Sequence, residues 1–486
     1  MGCPRDVAHL RTSIGRAVTG PRRPITASPT AIVFAAVDPT KIGMGAGAKP
    51  KWLPLRDTPG THLSWSRVRR VWDPLTQRSS VGPTPRRRGS LSGFGSARCH
   101  AVTFPALVFL LAQMAIVIAP TPAAATSGAR WAIAADPEST AGGYDFLTDV
   151  ACSSVRDCTA VGYYYRASNT QTLIERWNGS KWSVTPSPNT NELLDNYLSG
   201  IACVSTRSCT AVGYHYDGHA QQPLIVRWNG VTWSIVRSAA LGPSGAFLSA
   251  VSCRSRVDCT AVGAARGTTA NQPLIEHWNG TAWSVEPTPS PTRTLNSYLT
   301  GVSCNSSNLC AAVGRYFTGS VFRALVEVRN GTAWSIVRNP AASTGTNSEL
   351  DGVSCPSVSD CTAVGSVTSA RTTRTLIEHG GGSRWSIVAS PNGGVDDDNY
   401  LSAVSCPTAR ACTAVGHYFT GTSFLTLVEQ RKGSGWSVVP SPNVNVKKTN
   451  YLTGVSCLSS STCTAVGYFD VATNQPLIVQ IGPSRR

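Results

Sequence analysis

The sequence predicts an all-β fold: a seven-bladed β-propeller of four-stranded antiparallel blades, closed by an N-terminal strand that completes the last blade. Three observations predict it. Cys-x5-Cys pairs recur seven times, at Cys152/Cys158, Cys203/Cys209, Cys253/Cys259, Cys304/Cys310, Cys355/Cys361, Cys406/Cys412 and Cys457/Cys463, with first cysteines 51, 50, 51, 51, 51 and 51 residues apart. Each interval holds four short strand-like runs with turn residues at the joints and no helical period. A Gly-x-x-Trp signature also recurs seven times, out of phase with the cysteines by part of a unit.

The second unit shows the elements in order. Residues 197–203 are a short apolar run, strand A. Residues 209–216 form strand B, residues 223–228 strand C, and residues 233–237 strand D. Asn229-Gly230 between C and D is a hairpin turn signal. A single meander cannot bury both faces, whereas seven arranged radially can. Strand A carries small residues (Gly200 and Ala202, Gly301 and Ser303, Ala403 and Ser405), suited to the crowded innermost position.

Closure follows from the phase shift. The tryptophans that start strand D are Trp131, Trp182, Trp233, Trp283, Trp334, Trp385 and Trp436. Trp131 precedes every cysteine pair, and the last cysteine unit stops after its strand C. The strand around Trp131 is therefore expected to complete the blade formed by residues 451–482, which removes the open edge of the ring.

Fourteen of the sixteen cysteines lie in the seven pairs. The reading is one disulfide per A–B hairpin, across a five-residue loop, made in an oxidising compartment. Zinc favours closer cysteine pairs with further ligands nearby, and no His or carboxylate recurs with these. No metal or other cofactor is expected.

Residues 101–119 are apolar except for Thr103 and Gln113, follow Arg86, Arg87, Arg88 and Arg98, and lead into Ala123-Ala124-Ala125. These are the parts of a signal peptide. The expected division is therefore residues 1–97 as a disordered basic leader or as sequence upstream of a true start near Val81, 98–125 as signal peptide, and 126–486 as propeller. Cleavage would leave no membrane span; retention would leave an anchor. The formal charge of +17 belongs to the leader: residues 1–130 hold 18 Lys and Arg against four Asp and Glu, leaving the repeats near neutral. That distribution excludes a nucleic-acid footprint on the folded domain.

The Gly-x-x-Trp half of the C–D turn resembles the Asp-box hairpin of sialidase-type propellers, although the Ser-x-Asp half is replaced by Trp177-Asn178 or Trp228-Asn229. In that family the box is a structural turn, so no activity is implied. As a whole, residues 126–486 are similar to secreted bacterial propellers with one Cys-x5-Cys pair per blade, built from Leu-x-x-Val-Ser-Cys, Cys-Thr-Ala-Val-Gly, Leu-Ile-Glu-x-Trp-Asn-Gly and Trp-Ser-Val-x-x-Ser-Pro segments. That resemblance implies architecture and location only.

No catalytic residues are assigned. There is no Gly-x-Ser-x-Gly elbow and no P-loop. Among the propeller histidines (His215, His219, His277, His379 and His417), His277 and His379 share one repeat position, which marks a scaffold slot. Glu175, Glu276, Glu327, Glu378 and Glu429 are repeat-equivalent on strand C and are expected to pair with a neighbouring strand. The run Asp396-Asp397-Asp398 reads as a solvated turn rather than a Ca²⁺ site. Phe146, Tyr197, Phe247, Tyr298, Tyr400 and Tyr451 open strand A, with Glu349 as the exception. They are expected to pack between blades, because Tyr197 shares its parity with Ile201 and Cys203; the other reading is that they line the channel mouth and stack on sugars.

The A–B and C–D turns keep a nearly constant length, while the B–C and D–A loops are longer and differ in every unit. The latter two sets leave the same face. Tyr164, Tyr165, Tyr214, Tyr216, Tyr316, Phe317, Tyr418, Phe419 and Phe469 are the candidate ligand-binding residues there. The expected function is a secreted, monomeric, non-catalytic binding module for an extracellular glycan or protein. Two alternatives stand beside it. One is a glycoside hydrolase or lyase at the channel mouth, for which Asp217, Glu192, Glu349, Asp351, Asp396–Asp398 and Asp470 are the available carboxylates. The other is a structural or adhesive envelope protein.

Overall fold

A computed structural model describes residues 130–134 and 143–482, apart from 167, 240–243, 307–308, 344–345, 358, 370, 395–397 and 471–472. The leader, the signal segment and the Asp396-Asp397 pair lie outside the described residues. The described residues form seven four-stranded antiparallel sheets. Blades 1 to 6 span 145–184, 196–235, 246–285, 297–336, 347–388 and 399–438. Each runs A-B-C-D in strand order. Successive A strands lie against one another around the ring, and the A strand of blade 7 (Asn450–Ser459) lies against that of blade 1 (Asp145–Ser154).

Blade 7 is built as expected. Its outer strand is Ala132–Ile133, antiparallel to Asn474–Ile481, with Ala132 opposite Gln480 and Ile133 opposite Val479. Trp131, 7% exposed, packs with Val455, Leu477 and Ile481 in the core of that blade. The Ala134 amide adds a hydrogen bond to the Ile478 carbonyl at 2.9 Å. The seam is also closed at the inner edge, where Thr453 Oγ1 donates to the Leu147 carbonyl (2.8 Å) and the Cys152 amide donates to Ser456 Oγ (3.0 Å).

All seven disulfides are present, with Cα–Cα distances of 3.9 to 4.1 Å. The hairpin is tighter than a five-residue loop. Cys152 lies directly opposite Cys158, and the ladder continues to Ser154 opposite Asp157, leaving Val155-Arg156 as the turn. The cysteines therefore lock the end of a ladder that carries a bulge.

The bridges also sit deeper than staples across a surface loop would. The strand B cysteine of every pair is buried: Cys158, Cys209, Cys259, Cys310, Cys361, Cys412 and Cys463 are 1 to 5% exposed. Strand B lies inside its sheet, and its alternation turns these sulfurs toward the seam between blades. Cys209 packs with Ile201, Trp228 and Trp233. Cys259 Sγ lies 3.9 Å from Thr210 Oγ1 of blade 2, and Cys463 Sγ lies 3.7 Å from Thr413 Oγ1 of blade 6. Cys158 makes the same contact with Thr464 across the closing seam, at 3.8 Å. These cysteines are core residues of the scaffold.

A second bulge in strand A, between Leu147 and Asp149 and at the equivalent place in every blade, sets the packing. It drives the Phe146 carbonyl against Gly162 of strand B, where a Cβ would lie 1.9 Å from that oxygen. The glycine of each Cys-Thr-Ala-Val-Gly segment is required for this reason; the same approach recurs at Gly213, Gly263, Gly314, Gly365, Gly416 and Gly467. The preceding Ala-Val pair is fully buried, as are Leu147 and Ile174. Cores such as Leu198, Ile201 and Ala211 of blade 2 with Val161 and Ile174 of blade 1 fill the space between blades.

The strand C glutamates are fully buried at these seams, and four of them pair with the D–A loop of the preceding blade. Glu276 accepts from Ser238 Oγ (2.7 Å), Glu327 from Thr288 Oγ1 (2.5 Å), Glu378 from the Ala341 amide (2.9 Å) and Glu429 from Ser390 Oγ (3.0 Å). The partner is thus a loop, not a neighbouring strand. His277 and His379 face Asp258 and Asp360 as Arg176 faces Asp157, which confirms one scaffold slot.

Candidate functional site

The B–C/D–A face is more regular than its sequence variation implies. B–C connections are two to four residues long, because strands B and C reach further toward this face than the apolar runs show. The D–A connections of blades 1 to 6 are ten or eleven residues each. They differ in residues rather than in length.

Within this face, side chains at the ends of strands A and B form a belt around the channel mouth. Phe146 stacks on Tyr163 (4.9 Å between centroids) and Tyr197 on Tyr214 (4.6 Å) within their blades. Edge contacts join the blades: Tyr163 to Tyr197 (4.9 Å), Tyr214 to Phe247 (6.4 Å), His417 to Tyr451 (4.6 Å) and Tyr468 to Phe146 (4.9 Å). Packing between blades is therefore what these aromatics do, yet the parity argument for it does not hold. The strand A bulge puts Tyr197 opposite Tyr214 and Ile201 opposite Ala211, so the two occupy opposite faces of the sheet.

The belt is dry. Burial pushes the Tyr163, Tyr197, Tyr214 and Tyr451 hydroxyls up, takes Tyr468 to about 12, and lowers His417 to about 4. These five tyrosines stay neutral, and His417 is a neutral ring, across the ordinary pH range.

The belt changes character at blades 4 and 5, where Arg315 replaces the strand B aromatic and Glu349 that of strand A. Arg315 pairs with Glu349 and sits over Tyr298, 5.9 Å from the ring centroid. Ser366 Oγ donates to Glu349 at 3.3 Å. Asp351, next inward on strand A, is raised to about 8 by burial and then by the Glu349 charge, against the opposing pull of Arg315. On the far side of the ring Asp149 accepts amide hydrogen bonds from Ile201 (2.9 Å) and Val150 (2.8 Å), and burial takes it to about 7. Both carboxylates stay partly exposed although protein surrounds them.

The candidate binding residues fall into three sets, because strand B alternates sides. Tyr214 belongs to the belt. Tyr164, Tyr316, Tyr418 and Phe469 turn the other way and pack against the blade cores. Tyr165, Tyr216, Phe317 and Phe419 stand at the loop edge. Tyr165 (46% exposed) and Tyr216 (39%) face solvent, whereas Phe317 and Phe419 lean on Phe322 and Phe424 at 5.1 and 5.0 Å. Tyr144, 47% exposed and 6.2 Å from Tyr165, joins the solvent-facing set. Sequence reasoning passed over Tyr144 because it precedes strand A. Tyr163 and Tyr468 carried a usable signal, since they follow the invariant glycine of strand B.

The carboxylates considered for catalysis are mostly engaged in local structure. Asp217 caps its own turn by accepting from the His219 and Ala220 amides, both at 2.8 Å. Asp398 accepts from the Thr373 amide at 2.7 Å, and Glu192 reaches Arg166 at 3.9 Å on the surface. Asp470 ends strand B of blade 7. Among the described candidates, Glu349 and Asp351 lie close enough for the charge of the first to act on the second. Among the described residues no group of three or more His, Cys, Asp or Glu is placed to hold a metal ion, and no helix is long and apolar enough to cross a membrane.

No family model and no curated protein matches the chain. Among solved structures it is similar to YCF48 bound to D1 peptide, with a TM-score of 0.47 and 11% identity over 73% of this chain and 97% of that one. It is also similar to a protein of unknown function from Dyadobacter fermentans DSM 18053, with a TM-score of 0.43 and 10% identity over 72% and 98% of the two chains.

Proposed function

We propose that this propeller is a secreted, non-catalytic binding module that recognises an extracellular glycan or protein through its B–C/D–A face, with a glycan the better fit. One observation carries the reading: Tyr144, Tyr165 and Tyr216 stand exposed at the edge of blades 1 and 2, with Tyr165 braced by Phe146 and Tyr163 of the belt and by Tyr144. A rigid aromatic with one free face suits the apolar face of a sugar ring. Seven disulfides fit a molecule that works in an oxidising compartment. The test is retention of the full chain on immobilised polysaccharides and on extracellular proteins. Tyr165→Ala and Tyr216→Ala are expected to weaken retention about tenfold each, the scale of one lost aromatic contact. Unchanged retention in both variants, or none by the parent protein, would sink the proposal.

A second reading is supported by the convergence of Glu349 and Asp351 beside Arg315. Asp351, raised to about 8 by burial, beside the Glu349 carboxylate gives the pair of acids from which glycoside hydrolysis or lyase chemistry starts. Turnover of any polysaccharide that is lost in both Glu349→Gln and Asp351→Asn would favour it over simple binding.

A further inference from the structure

The near-neutral charge of the repeats conceals a separation of sign between the two faces. Because the strands alternate in direction, the A–B and C–D turns leave every blade on one face, opposite the B–C/D–A loops. Five Arg lie between paired cysteines on that face. Seven more Lys and Arg lie between the last two residues of strand C and the strand D tryptophan, and Arg130 precedes Trp131 in blade 7. Of these thirteen, Arg329 is neutralised by Glu286 at 3.0 Å. Three acids stand among them, Asp157, Asp258 and Asp360, and each pairs with an Arg or His of its own blade. The opposite face mixes the signs, as Arg166 with Glu192 and Arg315 with Glu349.

Blade 2 shows how the excess arises. Arg176 of blade 1 stacks on Trp228 at 4.6 Å and pairs with Asp157 at 2.7 Å. Arg227 repeats the pose on Trp278 at 4.5 Å and donates to the Arg256 carbonyl at 2.6 Å, but Ser208 stands where blade 1 has Asp157. Arg156, Arg207 and Arg256 are exposed in the A–B turns of blades 1 to 3. Aliphatic side chains share those turn tips. Val155 is 62% exposed, Val257 50%, and Val231, in the C–D turn of blade 2, 79%. The sequence upstream of Arg130, with its apolar run at 101–119, joins the propeller at this same face.

We infer that the A–B/C–D face docks the propeller on a bilayer containing anionic lipid. The inference stands apart from the ligand reading of the opposite face, and such docking turns Tyr165 and Tyr216 away from the bilayer. Arg and Lys at the level of anionic head groups, with short aliphatic tips between them, are the means by which a protein binds a membrane surface without crossing it. With Arg329 set aside, the cations still occupy six of the seven blades. That spread suits a charged surface better than the stripe along which one polymer chain runs. A soluble polyanion also gives the exposed valines no apolar contact.

The experiment measures co-sedimentation of the full chain with phosphatidylcholine vesicles, alone or with about one-third phosphatidylglycerol, at low and high salt. The anionic vesicles are expected to bind the protein and salt to release it, with weak binding to the neutral ones. Arg156→Gln, Arg207→Gln and Arg256→Gln together should weaken binding about a hundredfold, at about fivefold for each cation near the surface. The same change at Arg166, Arg266 and Arg374, on the opposite face, should leave it unchanged. Val155→Ser with Val231→Ser should weaken vesicle binding several-fold and leave retention on soluble polyglutamate as it was. All eight positions are exposed, so the melting temperature should hold in every variant. Parent-like binding by the triple Arg variant of the A–B turns overturns the proposal. So does equal binding to neutral vesicles, the outcome if the 101–119 segment drives it, and so does tighter capture of polyglutamate than of anionic vesicles.

Discussion

Ser390, in the loop leaving blade 5, donates its hydroxyl at 3.0 Å to Glu429, a fully buried carboxyl on strand C of blade 6. The same seam contact recurs around the ring and makes the stability of the protein depend on pH. Burial raises Glu327 and Glu378 from 4.5 to about 7 and Glu429 to about 8. A raised folded-state pKa means that the neutral acid is favoured in the native state. Its contribution is complete below pH 4.5 and is lost as pH climbs through 7 to 8. The melting temperature is expected to fall by several degrees between pH 5 and pH 8.5. Glu429→Gln, neutral at every pH, should flatten that slope. A parallel slope in the variant would refute the account.

The clasp makes a second prediction. Trp131 is buried in blade 7 although it lies more than three hundred residues from that blade's other strands. Trp131→Ala should cost about 3–5 kcal/mol in denaturant unfolding, as expected for a large buried aromatic. It should also expose the Asn474–Ile481 edge to proteolysis.

The disulfides should contribute individually and modestly. Each spans only six positions, and loop-closure entropy assigns such a small ring about 2 kcal/mol. Replacing both Cys406 and Cys412 by serine should lower stability by about that amount while leaving the circular dichroism spectrum intact. Reduction of all seven should lower the melting temperature much further.

Close approach of the innermost strands gives a steric prediction. A Cβ on Gly454 would lie 2.7 Å from the Asp149 Cα of the adjoining blade, whereas one on Gly435 meets nothing within 4 Å. Gly454→Ala should destabilise by about 1–3 kcal/mol through overpacking. Gly435→Ala should stay within about 0.5 kcal/mol of the parent.

The architecture was legible because the cysteine and tryptophan series are periodic and their offset is countable. Trp131 ahead of Cys152 was enough to place the closing strand. What escaped was local. The bulge beside Leu147 leaves no mark in composition, and it reverses the face that a simple alternation assigns to Tyr197. The depth of Cys209, Cys259 and Cys463 was equally hidden, since spacing alone gives a bridge and not the seam it faces. The extra length of strand B is silent too. As a result, Tyr164 and Tyr165 read as one loop cluster, although the first packs inward and the second faces solvent.

The two-residue outer strand of blade 7 has a consequence for biosynthesis. During vectorial synthesis, blades 1 to 6 can each form as soon as their own segment emerges. The seat for Ala132–Ile133 does not exist until residues 474–481 have been made. The earliest described strand must wait for the latest, so a prematurely terminated product keeps one unpaired edge. Closure of this ring therefore reports that synthesis has passed the Asn474–Ile481 strand.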